Sequence, residues 1–347
     1  MFKIKACEVA FPERIVSNTD VLDVIAKANG QLPQPTIEKL LSKISRFFDY
    51  SGIESRRWLE QGGSSFPLIL NAVESALRAA GSEKDEIGMV IFAGIDRKVI
   101  EPGFSFLVAK MAGLKSLQCF DVLEACNGWV RAVDIAQNYF RGGFRKQILI
   151  VTAEFLCHEG ALVQKSFTVS DVKDLDWSMA SMTLGESATA TILAYDSNGV
   201  WDGELVALPE YCDLCYCILD GNNFDMHGFS NDRPKIEGKF ASYAQRMNTV
   251  GMPVMSELMA NHVEHLSKAM ICFPHAHSIK CWTRIAKTLA LELPYYFIFR
   301  DYGNLATSSI PAALSLAFKE GAIVRGDRFS VTTAAAGMSF GVFHSIF

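Results

Sequence analysis

A chain of 347 residues, half of them hydrophobic and 20% charged, can bury a large core. A net charge of -5, with no basic run or interleaved aromatic patch, excludes attachment to a nucleic-acid backbone through bulk charge. The apolar runs are too short and interrupted to span a bilayer. Nine cysteines with no apolar signal segment after Met1-Phe-Lys-Ile-Lys predict reduced thiols in the cytoplasm, not a disulfide framework.

Lys3-Ile-Lys-Ala-Cys-Glu-Val-Ala10 reads as a first strand, and Ser17-Asn18-Thr19-Asp20 as a helix start. Residues 35–50 form an amphipathic helix with Ile37, Leu40, Leu41, Ile44 and Phe47 on one face. The segment Gly52-Ile-Glu-Ser-Arg56-Arg57-Trp58 follows, then a helix over 67–80 and a buried strand from Met89 to Ala93. Glu101, directly before Pro102, falls in a loop 25 residues before Cys126.

The run Phe120-Asp-Val-Leu-Glu-Ala-Cys126 ends a strand at a single cysteine. Apolar residues then recur at helical spacing (Trp129, Val130, Val133, Ala136, Phe140), so Cys126 starts a buried helix. Unpaired backbone N–H groups and the positive helix end favour a thiolate there and bind an oxyanion, which is a nucleophile's position. After the strand Gln147–Ala153, an insertion from His158 to Leu184 is rich in Ser, Asp and Met, and Tyr195-Asp-Ser-Asn-Gly199 is a turn between the halves. Cys212, Cys215 and Cys217 spell C-x-x-C-x-C. A closed zinc site needs a fourth ligand and no second C-x-x-C follows, so strand or loop thiols are the better reading and no metal is expected. Residues 222–240 read as an exposed loop before a helix over 252–268.

The segment from Asn304 to Gly321 repeats the cysteine helix. Phe318 stands 14 residues after Asn304 as Phe140 does after Cys126, and Gly321 and Gly143 each follow at 17. Met89-Val-Ile-Phe-Ala-Gly94 likewise matches Met270-Ile-Cys-Phe-Pro-His275, and the strand Gln147–Ala153 matches Arg328–Ala334. A duplicated α/β unit therefore places Cys126 at an equivalent point in one half, and His275 and Asn304 in the other.

These residues carry a resemblance. Phe-Asp-Val-x-x-Ala-Cys126-x-Gly, Phe-Pro-His275, Tyr-Gly-Asn304-x-x-x-x-Ser-x-Pro and the closing Ala-Ala-Gly-Met-Ser-Phe-Gly resemble, in order and spacing, the thiolase-fold condensing enzymes of the β-ketoacyl-acyl-carrier-protein synthase III type. The resemblance implies an α/β class, thiolase-like fold: an internally duplicated five-layer αβαβα arrangement with two buried central helices. Residues 1–197 form the half with the cysteine nucleophile, and 198–347 the half with histidine and asparagine. It further implies a homodimer that takes acyl-CoA or acyl-carrier-protein thioesters in fatty acid or polyketide biosynthesis and needs no cofactor. The backbone N–H groups of Cys126 and Ala336 form the oxyanion hole, and Arg56 touches a coenzyme A phosphate at the tunnel mouth. His275 is preferred over His277. The sequence departs from the family at Arg46, where an adenine-stacking tryptophan is usual, at Ala276 and Ser278, at Gly185-Glu186-Ser187, and at Ala336, which replaces a glycine.

Glu101 before Pro102, and the position of the 158–184 insertion, resemble instead the head-to-head thiolase of bacterial hydrocarbon biosynthesis. There a glutamate on a loop crossing the dimer serves as base and the insertion caps the acyl pocket. Cys126 is expected to hold an acyl group, while His275 and Asn304 stabilise the enolate of a second thioester. Glu101 points to Claisen condensation without decarboxylation. Three other readings are an acyltransferase of the same fold acting on a hydroxyl or amine in secondary metabolism, a cysteine protease, and a non-catalytic partner subunit.

Overall fold

The computed structural model describes residues 1–169, 171–218 and 240–347. The loop expected over 222–240 lies outside the described residues except for Phe240. The strands are β1 Phe2–Ala10, β2 Ile15–Ser17, β3 Ser55–Arg57, β4 Ile87–Ala93, β5 Gln118–Val122, β6 Gln147–Glu154, β7 Ser187–Tyr195, β8 Trp201–Ala207, β9 Cys215–Cys217, β10 Phe240–Ser242, β11 Ile271–Pro274, β12 Arg328–Ala335 and β13 Ser339–Ile346.

Two main sheets form, ordered β1-β7-β6-β4-β5 and β8-β13-β12-β11. Both follow one scheme. β4 and β6 are parallel, as are β11 and β12, and the next two strands of each sheet are antiparallel. The counterpart of β5 has shrunk to one parallel bridge between Cys272 and Tyr295. Pro294 precedes that bridge and has no N–H to donate to a ladder.

Side-chain alternation sets the layers. Along β6, Ile148 and Ile150 join a central apolar cluster, while Leu149 and Val151 join a second cluster on the opposite face. The central cluster contains the helices Gly128–Arg141 and Ser309–Lys319, held between the sheets. In the first, Trp129, Val130, Ala132, Val133, Ala136 and Phe140 are buried, and the indole of Trp129 donates to Thr191 Oγ1 at 2.9 Å. The second packs close through small side chains, Ala312, Ala313, Ser315 and Ala317. The outer face of the first sheet is covered by Phe66–Ala80 and Phe104–Met111. That of the second is covered by Ala244–Asn261 and Ile279–Thr288. Helix, sheet, central helices, sheet and helix make five layers.

The expected helix over 35–50 spans Gln34–Ser51 and buries Ile37, Leu40, Ile44 and Phe48. The one expected over 252–268 differs. It runs from Ala244 through Pro253 to Asn261, then breaks at His262 before a short turn, Val263–Ser267. Burial of Met255, Leu258 and Met259 on the second sheet outweighs the local cost of the proline. None of the nine cysteines is in a disulfide, and no described helix is long and apolar enough to cross a membrane.

Candidate active site

Cys126 sits in a 3-10 turn, Ala125–Asn127, between β5 and the central helix that begins at Gly128. Ala125 takes a left-handed φ of 43°, which turns the chain sharply out of the sheet. Asn127 clamps the turn to the β12–β13 hairpin: its Nδ2 donates to Ser339 Oγ at 2.9 Å and its Oδ1 accepts from Thr333 Oγ1 at 2.5 Å. From the other half, Thr307 Oγ1 donates to the carbonyl of Ala125 at 2.8 Å. A Cβ at Gly128 would lie 3.0 Å from Thr307 Cγ2, so the two turns approach as closely as a glycine allows.

The second half carries the same turn. Ala306 also has a left-handed φ, 47°, and opens the 3-10 turn Ala306–Ser308 ahead of the other central helix. Cys126 and Thr307 are thus equivalent and lie 181 residues apart, as do Gly94 and His275, and Gln147 and Arg328. This corrects the register expected from the sequence, in which Cys126 pairs with Asn304. The second helix has 11 residues against 14, so markers at the helix ends align three positions away from the turns at their starts.

The surroundings of Cys126 work against the expected thiolate. Cys126 is half-buried, and enclosure of its sulfur pushes the thiol well above its ordinary range, with Cys215 and Glu154 adding to the rise. Desolvation disfavours the charged form of the sulfur. Cys215 comes from the β9–β10 ribbon, which packs on the 3-10 turns of the 158–184 insertion; Ser166 Oγ donates to the carbonyl of Phe240 at 2.7 Å. Insertion and ribbon therefore lie beside the cysteine as one unit. Among Cys212, Cys215 and Cys217, Cys215 is half-buried and bonds to the Ser242 side chain, and Cys217 is exposed on the same short strand.

Two residues of the site escape a reading of the sequence. Glu154 ends β6, 3% exposed, and accepts from the N–H groups of Ile95 at 3.1 Å and Asp96 at 3.3 Å. Burial pushes its carboxyl up to about 7 despite these bonds and one to Thr307. Its signal is a carboxylate closing a mostly apolar strand. Thr307 is found only by aligning the turns.

His275 follows β11, its N–H donating to Thr332 O at 2.8 Å and its carbonyl accepting from Trp282 Nε1 at 2.9 Å. The ring is buried and Nδ1 meets no partner; burial, then His277, pushes its pKa down to about 3. A proton on Nδ1 would be a buried orphan donor, so the neutral ring carries its hydrogen on Nε2. Burial also pushes His277 down to about 4, and its N–H donates to the His275 carbonyl at 2.7 Å.

Asn304 is held on both sides by the end of the insertion: its N–H donates to Thr183 O at 2.8 Å, and its carbonyl accepts from Gly185 at 2.9 Å. Its Oδ1 accepts from Ala306 N–H at 2.8 Å, which orients the amide with its NH2 on the other side. Ala336 lies in the β12–β13 turn that Asn127 clamps and has no left-handed φ. The turn of Cys126 therefore packs against the turn that follows Asn304 and against β12, beside which His275 emerges.

Two other residues lie elsewhere. Glu101 is exposed on the loop after β4. Asp121 ties down the far end of that loop by accepting from Phe104 N–H at 2.7 Å and Ser105 N–H at 2.9 Å. Arg56 is a correction. It is fully buried, donates to Asn18 Oδ1 at 2.9 Å and Met182 O at 3.2 Å, and lies over the Phe48 ring. A guanidinium so enclosed braces the helix Gln34–Ser51 against the insertion and does not reach a phosphate at a tunnel mouth.

The family described as 3-oxoacyl-(acyl-carrier-protein) synthase III matches residues 120–207, and its C-terminal counterpart matches 265–344. The β-ketoacyl-(acyl-carrier-protein) synthase III of Aquifex aeolicus is 22% identical over 98% of this chain and 97% of its own, and that of Aliarcobacter butzleri 25% over 95% and 93%. Among solved structures, a cysteine-to-serine form of Xanthomonas campestris OleA with bound lauric acid and lauroyl-CoA superposes with a TM-score of 0.82 at 19% identity, covering 100% of this chain and 99% of that one. The Aquifex aeolicus synthase III structure gives 0.78 at 19% identity, with 100% of each chain covered. The fold is the thiolase-like fold.

Proposed function

We propose that this chain, a thiolase-fold condensing enzyme of the β-ketoacyl-acyl-carrier-protein synthase III type, joins two acyl thioesters by Claisen condensation through an acyl-Cys126 intermediate. The observation that carries the reading is the clamped meeting of two equivalent turns, one bearing Cys126 and the other following Asn304, with His275 emerging beside β12. In the first step the Cys126 sulfur attacks the carbonyl of an acyl-CoA or acyl-carrier-protein thioester. A new S–C bond forms, the carrier's C–S bond breaks, and the thiol proton leaves with the carrier thiol. The backbone N–H groups of Cys126 and Ala336 hold the oxyanion.

In the second step Glu101 removes an α-proton from the other thioester. The enolate oxygen accepts from His275 Nε2–H and Asn304 Nδ2. A ring with pKa about 3 stays neutral, so it polarises the carbonyl without adding a buried charge. The α-carbon then attacks the acyl-Cys126 carbonyl, the C–C bond forms and the sulfur leaves, giving a β-keto thioester.

Glu101 acts in the neighbouring subunit's site. β5 is an edge strand, and beside it Leu123 is 64% and Phe106 51% exposed, which supports pairing of two copies through this edge.

The test uses intact mass and product analysis with labelled acyl-CoA, with and without malonyl-acyl-carrier-protein. Wild type is expected to gain one acyl group, lost in Cys126→Ser, and to form a β-keto product from acyl-CoA alone. Glu101→Gln should keep the acyl adduct and lose the product. A product that forms only with malonyl donor rejects the role of Glu101, and acyl transfer to an alcohol without β-keto product rejects condensation.

A further inference from the structure

Three histidines gather at the end of β12 remote from Cys126. His262 lies at the break between two helical segments, His265 in the short turn after it and His344 on β13, and one ring nitrogen from each falls within 4.8 Å of the others. We propose that His262, His265 and His344 form a site for a divalent transition metal of the zinc class, tying the outer helix of the second half to its sheet.

The geometry of two of the rings points to a ligand pair. His262 Nδ1 and His344 Nε2 face each other at 3.1 Å. Two nitrogens bound to one tetrahedral zinc at ~2.0–2.1 Å stand roughly 3.3 Å apart, so a small outward shift seats an ion between them. Each ring also has a partner on its outer nitrogen: His344 Nδ1 meets Ser330 Oγ at 2.9 Å, and His262 Nε2 meets Glu204 Oε1 at 3.4 Å. When both outer nitrogens donate, as Glu204 requires of His262 and Ser330 permits for His344, two lone pairs are left facing each other. A cation satisfies both, and an outer hydrogen bond to carboxylate or hydroxyl is the usual support of a ligating histidine.

His265 completes the set from the surface. Its ring stacks on His344 with centroids 4.7 Å apart, and being exposed it can turn toward the ion by a rotamer change alone. A cavity of about 240 Å³ lined by His265, His344, Lys268 and Arg328 gives the ion an entry path and leaves a fourth position for water. Lys268 is paired with Glu264 at 2.5 Å, which draws one of the two cations lining the cavity away from the rings.

The test strips the full-length protein with chelator, then titrates it with Zn2+ by calorimetry and with Co2+ by visible absorption. Wild type is expected to take one ion per chain, with a tetrahedral cobalt spectrum free of thiolate charge transfer and a rise in Tm. Glu204→Gln should weaken binding roughly 10–100-fold, as outer-sphere changes do, and His265→Ala by more. His265 is exposed, so its variant folds even if His344→Gln does not. Absence of saturable uptake, uptake unchanged in His265→Ala, or a thiolate band placing the ion on cysteines overturns the proposal.

Discussion

Glu154 offers a sharp quantitative test, because the cost of burying it depends on its charge. Desolvation raises its carboxyl from the ordinary 4.5 to about 7 even though two backbone N–H groups and Thr307 bond to it. The folded chain therefore binds this proton more tightly than the unfolded chain. Its contribution to stability is complete below pH 4.5 and is lost as pH rises through 7. At 1.36 kcal/mol per pKa unit, the loss is about 3 kcal/mol. Glutamine keeps the acceptor oxygen but cannot ionise. Urea unfolding of wild type and Glu154→Gln at about pH 5 and about pH 8 should show the variant gaining stability relative to wild type by about 3 kcal/mol across that range. The same substitution removes a negative charge from beside Cys126, so alkylation of that thiol above neutral pH should quicken in the variant. An equal stability difference at both pH values would refute the reasoning, since the carboxyl would then titrate as in the unfolded chain.

Other substitutions probe the frame. Gly303→Ala forces a Cβ into the carbonyl of Thr183 at a φ of +69°; a loss of about 1–3 kcal/mol or more in denaturant unfolding is expected, together with condensation rate, because Asn304 is the next residue. Arg56→Met removes a buried guanidinium that bonds Asn18 and Met182, so it should shift the urea midpoint and leave the KM for acyl-CoA near wild type; a rise in KM without loss of stability restores the phosphate role. Leu123→Asp places a charge beside the β5 edge and should produce monomers in sedimentation velocity, with acylation of Cys126 retained and condensation lost; a dimer that persists places the interface elsewhere.

Hydrophobic period and turn signals are properties of short segments, so the duplication, the strand and helix types, and the candidates Cys126, His275 and Asn304 are all legible from residue order alone. The same signals locate β6 and the helix after Cys126 within a residue or two. Which carboxylate is buried, where Arg56 points and what state the sulfur takes emerge only when distant segments pack together. Solvation depends on what the rest of the chain places around a group, and spacing along the chain does not report it. Arg56 reads as a surface cation until the helix Gln34–Ser51 and the insertion close over it. Cys126 reads as an activated thiolate until Cys215 and Glu154, 89 and 28 residues further along, arrive beside it and the water leaves. The register between the halves is settled the same way, by left-handed alanines at 125 and 306 that no residue pattern announces.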